Sequence, residues 1–466
     1  MGTKQQDVAV VTFSLATPSF SLEDTFSVPM VISEITDTDE RTQIFTTLEA
    51  VTTAGYSSGD FFNFATSHFG QVGRKGGSPN NLMLGKKLSD ANCTQTFVFD
   101  ADATAGEFTI TLGALTTAAI AFDANVAAVK SALESLAAIT EVTVTLNTGA
   151  TQAGDKEGFA VEFTGATDEK TDFDVMSCTI TALTSVSTVT VTKTIFGSAV
   201  ETWGTAYAAI KASNSDFYFT CPDVDATLET TLDTLTTLVE ADKRQLHAVT
   251  ATADAIGSAT TDIGSTMLSR FARSHLYYSS DTTYSLVACE LGATIPDFFG
   301  ATNPSYAPLA LITADTLTDS AITNLIAKKY ARCESINLKS TIMGTSSGST
   351  SAQGLLSTTG VSAKSLWIKD YLEYVVSNAL MNMLQTNPNV YFSQFWFDAI
   401  ENLITTTMQT KGVDQGLLVE GSIDVTMPDL ATYDATKKLN EFLDGILADS
   451  EKTNSISKIQ ITGKIK

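Results

Sequence analysis

Residues 215–278 read SDFYFTCPDVDATLETTLDTLTTLVEADKRQLHAVTATADAIGSATTDIGSTMLSRFARSHLYY. Short apolar runs rich in aromatic and β-branched residues alternate here with longer stretches of helical periodicity. The stretch predicts strands at Phe217–Thr220, Leu246–Ala251 and His275–Tyr278, with helices at 226–241 and 258–271. Strands alternating with helices of this length indicate a parallel sheet covered by helices.

The flanking sequence extends this pattern on one side and interrupts it on the other. A helix is predicted at 201–212 before the stretch, and three more follow it at 318–333, 366–384 and 392–408. Residues 93–197 are different, because Thr, Val and Ala dominate and most apolar runs alternate with period two. One amphipathic helix, 125–138, interrupts these runs. About 100 residues with their own strands and helix predict an inserted β-rich domain.

Both ends of the chain are predicted to be strands. In VAVVTFSL (8–15), the side chains of Val11, Phe13 and Leu15 fall on one face. The last twelve residues, SISKIQITGKIK, alternate in the same way, with one apolar face and one lysine-bearing face: Ile459, Ile461 and Ile465 against Lys458 and Lys464. Chain ends fray unless they are tied down, so we expect two arms that pair with a neighbour, or with the subunit's own sheet.

These patterns predict a mixed α/β, multidomain protein. Its parts are a central parallel or mixed sheet covered by helices, an inserted β-rich domain, and extended strand arms at both ends. The predicted limits are 1–20 for the N-terminal arm, 21–92 and 198–448 for the two parts of the core, 93–197 for the insertion, and 449–466 for the C-terminal arm.

The composition of the chain excludes some classes of function. The 466 residues carry 28 basic and 52 acidic side chains, a net charge of −24, and a chain this acidic repels phosphate, so binding to nucleic acid is not expected. Only 17% of residues are charged, which suggests that much of the surface faces other protein. Five widely spaced cysteines form no CxxC pair, and no apolar run is long enough to span a membrane. A soluble protein of the cell interior is expected.

No motif is specific enough to predict chemistry. Gly344–Gly348 matches GxSxG with Ser346 at its centre, but a Ser/Gly-rich loop follows where the nucleophile elbow needs a helix. His247 and His275 fall on predicted core strands, and like His68 they lack metal-ligand spacing. The run 100–106 is a poor calcium loop, because position twelve is Thr111 in place of a glutamate. We therefore expect no catalytic residue, cofactor or metal.

In its order of motifs the chain resembles the contractile tail sheath proteins of tailed bacteriophages, a group long catalogued as a family of unknown function. The motifs that carry the resemblance are spread over nearly the whole chain: VAVVTFSL, PMVI at Pro29, PNNLMLGKK at Pro79, SDFYFTC at Ser215, DIGSTMLSRFARSHLYY at Asp262, LWIKDYLEYVVSNAL at Leu366, and GLLVEGSIDVTMP before the terminal strand. The threonine-rich insertion resembles the family least.

The resemblance implies a structural subunit in stacked six-fold rings around a tail tube, whose sheath contracts to drive the tube through the host envelope. It implies arm strands that complete a sheet with neighbouring copies, through the faces of Val11, Phe13, Leu15, Ile459, Ile461 and Ile465. The implied partners are further copies, the tube protein, and baseplate and tail terminator proteins, with no direct membrane contact. The implied location is the virion, after assembly in the bacterial cytoplasm. Open alternatives are a tailocin or secretion-system sheath, another tail component, and an α/β hydrolase-like enzyme.

Overall fold

A computed structural model of the chain describes residues 11–12, 23–36, 38, 40–180, 182–223, 229–301, 305, 307–346, 353–387, 390–435 and 446–451. These residues form two compact units. The first comprises residues 1–33, 42–85 and 210–466 within the described ranges, and the second comprises 34–41 and 86–209. The domain limits predicted from the sequence stay a prediction.

The strands are β1 (Val11–Thr12), β2 (Pro29–Glu34), β3 (Thr42–Phe45), β4 (Leu82–Lys87), β5 (Thr94–Phe99), β6 (Glu107–Leu112), β7 (Leu115–Thr116), β8 (Ile120–Ala121), β9 (Val142–Leu146), β10 (Phe159–Phe163), β11 (Ser177–Thr179), β12 (Val189–Ile195), β13 (Phe219–Pro222), β14 (Gln245–Thr250), β15 (Ser274–Tyr278), β16 (Tyr330–Ile336), β17 (Lys339–Met343), β18 (Thr345–Ser346), β19 (Gln353–Gly354), β20 (Asp424–Thr426) and β21 (Leu447–Asp449). The α-helices are α1 (Leu48–Thr53), α2 (Asp60–Phe69), α3 (Val126–Glu134), α4 (Trp203–Ser213), α5 (Glu229–Ala241), α6 (Ala253–Ile256), α7 (Ile263–Met267), α8 (Leu286–Thr294), α9 (Asp319–Ala327), α10 (Ala363–Thr386) and α11 (Gln394–Met408).

An eight-stranded mixed sheet in the order β17-β16-β15-β14-β13-β2-β4-β3 is the centre of the first unit. Strands β2, β13, β14, β15 and β16 are mutually parallel, while β17 and β3 are antiparallel to their neighbours at the two edges. Parallel strands need crossover connections, and α5 joins β13 to β14 while α6 and α7 join β14 to β15. The predicted mixed α/β class is confirmed.

The central strands are buried along most of their length. Each of the five residues of β15 is buried, as are all six of β4, which is the pattern of strands covered on both faces. Helix α8 is buried on every side, so it lies inside the unit and carries no solvent face. This burial positions the polar side chains of β13, β14, β15 and α8 in the interior.

Two predicted helices are shorter in the structure. The stretch 258–271 forms only α7, because its chain turns at Ser269, where φ is +64°, and the Ser269 amide bonds to the Thr358 carbonyl. The stretch 318–333 forms α9 and then β16, with a turn at Lys329, where φ is +67°. Only residues 330–333 of β16 are buried, and periodicity alone cannot distinguish so short a buried run from the end of a helix.

The second unit encloses its own core between two sheets and α3. One sheet has the order β12-β5-β10-β9, and the other pairs β6 with β11, β7 and β8. Phenylalanines from both sheets meet in the core, where the Phe97 and Phe159 rings stack at 4.7 Å and the Phe99 and Phe108 rings meet at 5.8 Å. The predicted period-two runs at 142–146 and 159–163 are β9 and β10.

Candidate assembly site

A small sheet in the first unit brings the two ends of the chain together. Its strand order is β1-β21-β20, and all of its pairs are antiparallel. Val11 and Thr12 of β1 pair with Ala448 and Leu447 of β21. On their other side, Ala448 and Leu447 pair with β20. The strand near the C terminus is therefore central, and both of its edges are occupied in the single chain.

Two long helices support this sheet. Helix α11 packs against β20, and α10 lies against β1. The Val419 amide donates to the Glu451 carbonyl at 2.8 Å, and the Glu451 amide donates to the Ser422 hydroxyl at 3.1 Å. Ala448 is fully buried. The sheet is thus held by backbone bonds on one side and by helix packing on the other.

Of the eight predicted arm residues, only Val11 belongs to the described chain. Phe13, Leu15, Lys458, Ile459, Ile461, Lys464 and Ile465 lie outside the described residues. The backbone of Val11 pairs with Ala448 of the same chain, which corresponds to the alternative in which a terminal strand joins the subunit's own sheet. The role of the arms in contacts between subunits stays a prediction.

Exposed apolar side chains mark the corner between α10 and α11. Phe395 is 69% exposed, Tyr391 is 65% exposed and Leu384 is 36% exposed. The periodicity of 392–408 predicts a helix but not the exposure of its aromatic side chains. The dense aromatic run YFSQFWF (391–397) could have indicated it, because one helix face cannot bury all of these rings.

The catalytic motif considered from the sequence is part of a hairpin. Ser346 lies in β18, which pairs antiparallel with β19. A nucleophile elbow needs a helix directly after the serine, and the next α-helix of the described chain, α10, begins only at Ala363. The geometry around Ser346 is therefore not that of a hydrolase nucleophile.

The three histidines are buried and uncharged. His247 and His275 are directly paired across β14 and β15, and the His247 ring contacts Tyr277 and Gln245. Burial lowers the pKa of His68 to about 4 and that of His275 to about 3, and it holds the pKa of His247 well below its usual range. His68 and His247 therefore serve as neutral hydrogen-bonding side chains at physiological pH.

The cysteines are also unsuited to nucleophilic chemistry. All five are free. Burial raises the pKa of Cys178 and of Cys333 to about 12, and it raises those of Cys93, Cys221 and Cys289 as well. Because the thiolate is the reactive form, these side chains stay as inert thiols.

A cleft of about 220 Å³ opens at the carboxyl ends of β13, β14 and β15. Hydroxyl groups and three carboxylates, Asp60, Asp223 and Asp281, line it. Asp281 accepts bonds from the Thr283 and Tyr284 amides, so it shapes the loop. Among the described residues that line the cleft none is His, Cys, Lys or Arg.

Within the described residues, no three His, Cys, Asp or Glu side chains are grouped so that they could hold a metal ion. The same part of the chain contains no helix with the length and apolarity needed to cross a membrane.

Comparison with known proteins gives a likeness in fold. No protein-family model and no curated protein sequence matches the chain. A chain of the anti-feeding prophage baseplate, solved with six-fold symmetry, matches with a TM-score of 0.50 and 10% identity, covering 97% of this chain and 96% of that one. This chain has the fold of that protein.

Two sheath tail proteins are also similar in structure. The protein from Desulfitobacterium hafniense has a TM-score of 0.47 and 11% identity, covering 91% of this chain and 92% of that one. The protein from Listeria innocua has a TM-score of 0.48 and 10% identity, covering 95% of this chain and 97% of that one. The resemblance seen in the order of the sequence motifs is confirmed for the fold by the baseplate chain.

Proposed function

We propose that the chain is a structural subunit of a contractile tail sheath, without enzymatic activity. The observation that supports the proposal is the likeness in fold, over 97% of this chain, to a chain of the anti-feeding prophage baseplate. Subunits would stack as six-fold rings around a tail tube and contract to drive the tube through the host envelope. Further copies, the tube protein, and baseplate and terminator proteins are the proposed partners, in a virion assembled in the bacterial cytoplasm.

The terminal sheet suggests how copies connect. The ladder between β1 and β21 joins two ends of one chain through backbone hydrogen bonds, and the same ladder can form between the N-terminal strand of one copy and β21 of another. Such strand exchange gives a strong joint that survives rotation of the subunit bodies. We place Phe13, Leu15, Ile459, Ile461 and Ile465 in these arms, with Lys458 and Lys464 facing acidic surface of a neighbour.

Negative-stain electron microscopy of the concentrated protein tests the proposal. Full-length protein should form hollow tubes or stacked six-fold rings. Deletion of the last ten residues should leave a folded body that does not polymerise. Ser346→Ala is the matched control, because it alters the one catalytic motif and should leave assembly unchanged.

Two results would contradict the proposal. Tubes formed by the truncated protein would show that the C-terminal arm is dispensable. Full-length protein that stays dispersed even with added tail tubes would overturn the sheath assignment. A subunit of a tailocin or of another contractile injection particle would give the same images. These particles can be distinguished by testing which tail tube the subunits assemble around.

A further inference from the structure

A chain of buried hydrogen bonds crosses the first unit from α8 to α10. Its members lie on α8, β14, β15 and α10 or directly before β13 and β15, and all of them are buried: Glu290, Tyr277, His247, Gln245, Tyr218, Asp370 and Arg273. Buried polar groups need partners that match as donor and acceptor. The direction of every bond in the chain can therefore be worked out from one fixed point.

The fixed point is the carbonyl group of Ala363, the first residue of α10. It can only accept, so the group of Gln245 that contacts it at 2.9 Å must be the Nε2 donor. The same Nε2 donates to the Tyr218 hydroxyl at 3.2 Å, and that hydroxyl donates to Asp370 at 2.6 Å. The Gln245 Oε1 is left to accept from the His247 Nε2 at 3.2 Å.

This bond fixes the tautomer of His247. Burial keeps the imidazole neutral, because it holds the pKa of His247 well below its usual range. With the proton on Nε2, the Nδ1 of His247 is an acceptor. The Tyr277 hydroxyl lies 2.7 Å from Nδ1 and must donate its only proton there. Tyr277 then has no proton to give to Glu290.

Glu290 must therefore supply a proton itself. Its carboxyl oxygens lie 3.3 Å from the Tyr277 hydroxyl oxygen and 3.1 Å from the Thr294 hydroxyl oxygen. The Thr294 hydroxyl shares its single proton between the Glu290 backbone carbonyl at 2.8 Å and one carboxyl oxygen of Glu290. The contact with Tyr277 therefore needs one proton from the other carboxyl oxygen, which a neutral carboxylic acid supplies and a carboxylate does not.

The surroundings of Glu290 agree with a neutral acid. While the histidines are neutral, no titratable group on α8 or on the elements packed against it carries a positive charge. These groups are Asp60 and His68 on α2, Cys289 on α8, Asp297 on the 3-10 helix that follows α8, His247 on β14, and His275, Tyr277 and Tyr278 on β15. Cys221 on β13 is also near Glu290. Burial raises the pKa of Glu290 to about 8.

We propose that the proton on Glu290 sets the direction of this hydrogen-bond chain, and that its loss reverses the chain and releases the first turn of α10 from β14. A carboxylate would accept a hydrogen bond from the Tyr277 hydroxyl, and His247 would then have to donate to the Tyr277 oxygen from Nδ1. Gln245 would have to rotate, which would turn its Oε1 toward the Ala363 carbonyl and break that bond. Helix α10 also lies against β1. A change at the first turn of α10 can therefore affect the small sheet that contains β1, whatever the protein assembles into.

The tautomer of His247 gives the first test. The chain has only three histidines, so 15N-histidine labelling of the full-length protein resolves each ring by NMR. We expect the Nε2–H form of His247 below pH 8 and the Nδ1–H form above it. The Nδ1–H form at neutral pH, or a tautomer that does not change across pH 8, would overturn the proposal.

Glu290→Gln gives the second test, because glutamine keeps a donor at this position and cannot ionise. The folded pKa of Glu290 is raised from 4.5 to about 8, so the stability that its proton provides is complete below pH 4.5 and is lost as the pH rises toward 8. Relative to E290Q, the wild-type unfolding constant should increase about tenfold per pH unit in that window and level off above it.

The matched control is Glu401→Gln on the exposed side of α11, which should follow the wild type at every pH. Above pH 8, amides in the first turn of α10 should exchange faster in wild type than in E290Q. A ratio of unfolding constants that does not vary with pH would overturn the proposal. If E290Q does not fold, the histidine measurement on wild type decides the question alone.

Discussion

Two arginine–aspartate pairs in the first unit differ in burial and allow a sharp test of its interior. Arg273 binds Asp370 through both terminal nitrogens, one of them at 2.8 Å, and the side chains are 10% and 1% exposed. Arg270 binds both oxygens of Asp233 at 2.7 and 2.8 Å, with side chains 45% and 38% exposed. The substitutions Asp370→Asn and Asp233→Asn remove the same charge from each pair.

The expected losses of unfolding free energy differ, because water can solvate the remaining arginine in the exposed pair but not in the buried pair. Removing one member of a buried pair leaves an uncompensated charge and costs about 3–5 kcal/mol. An exposed pair is worth about 0–1 kcal/mol. Asparagine can still accept from the Tyr218 hydroxyl, so we expect about 3 kcal/mol for Asp370→Asn, or about a 100-fold larger unfolding constant at 1.4 kcal/mol per tenfold.

Urea denaturation of dilute protein at pH 7 measures both variants. Tryptophan fluorescence follows the unfolding, and Trp367, which stacks on Tyr371 at 4.9 Å one helical turn from Asp370, contributes a signal from this region. Asp370→Asn should lower the midpoint strongly without changing the slope, while Asp233→Asn should stay within about 1 kcal/mol of wild type. Equal costs for the two variants would show that Asp370 is solvated, and the argument for a dry interior around α10 would be wrong.

Two further outcomes follow from buried groups elsewhere. The folded pKa of His68 is about 4, below the ordinary 6.5. The stability that neutral His68 provides is therefore complete above pH 6.5 and is lost as the pH falls toward 4. His68→Gln keeps a donor for the Asn81 carbonyl and should reduce this loss of stability in acid unfolding curves. Gly158→Ala should destabilise the second unit far more than Gly113→Ala in thermal melts, because both glycines have positive φ but only a Cβ at 158 meets the Phe97 carbonyl oxygen; equal melting shifts would contradict this account.

Much of the fold is predictable because its elements have strong local signals. Strands β9 and β10 alternate strictly, and the predicted limits at 142–146 and 159–163 agree with the structure. The parallel order of β13, β14 and β15 follows from the helices between them. The errors at α7 and α9 arise where turns at Ser269 and Lys329 interrupt an apolar pattern that alone favours a helix.

The polar interior could not be predicted because its partners are distant in sequence. Gln245 bonds to the carbonyl of Ala363, and Tyr218 bonds to Asp370. Each contact exists only once α10 packs on the sheet, and a glutamate in an apolar helix gives no hint of its partner. The terminal strands are a different case, since their alternation is evident in the sequence but does not identify a partner, and β1 pairs with β21 of the same chain.

The charge of the chain limits how copies of it can meet. Bodies with a net charge of −24 repel each other, but at physiological salt the screening length is about 8 Å, much shorter than a subunit. The repulsion that matters is therefore local to each contact. Backbone pairing along β21 and apolar contacts through residues such as Tyr391 and Phe395 bring few charges together. Copies of so acidic a chain can thus associate through strands and apolar surface, provided that the carboxylates of the two bodies stay more than a screening length apart.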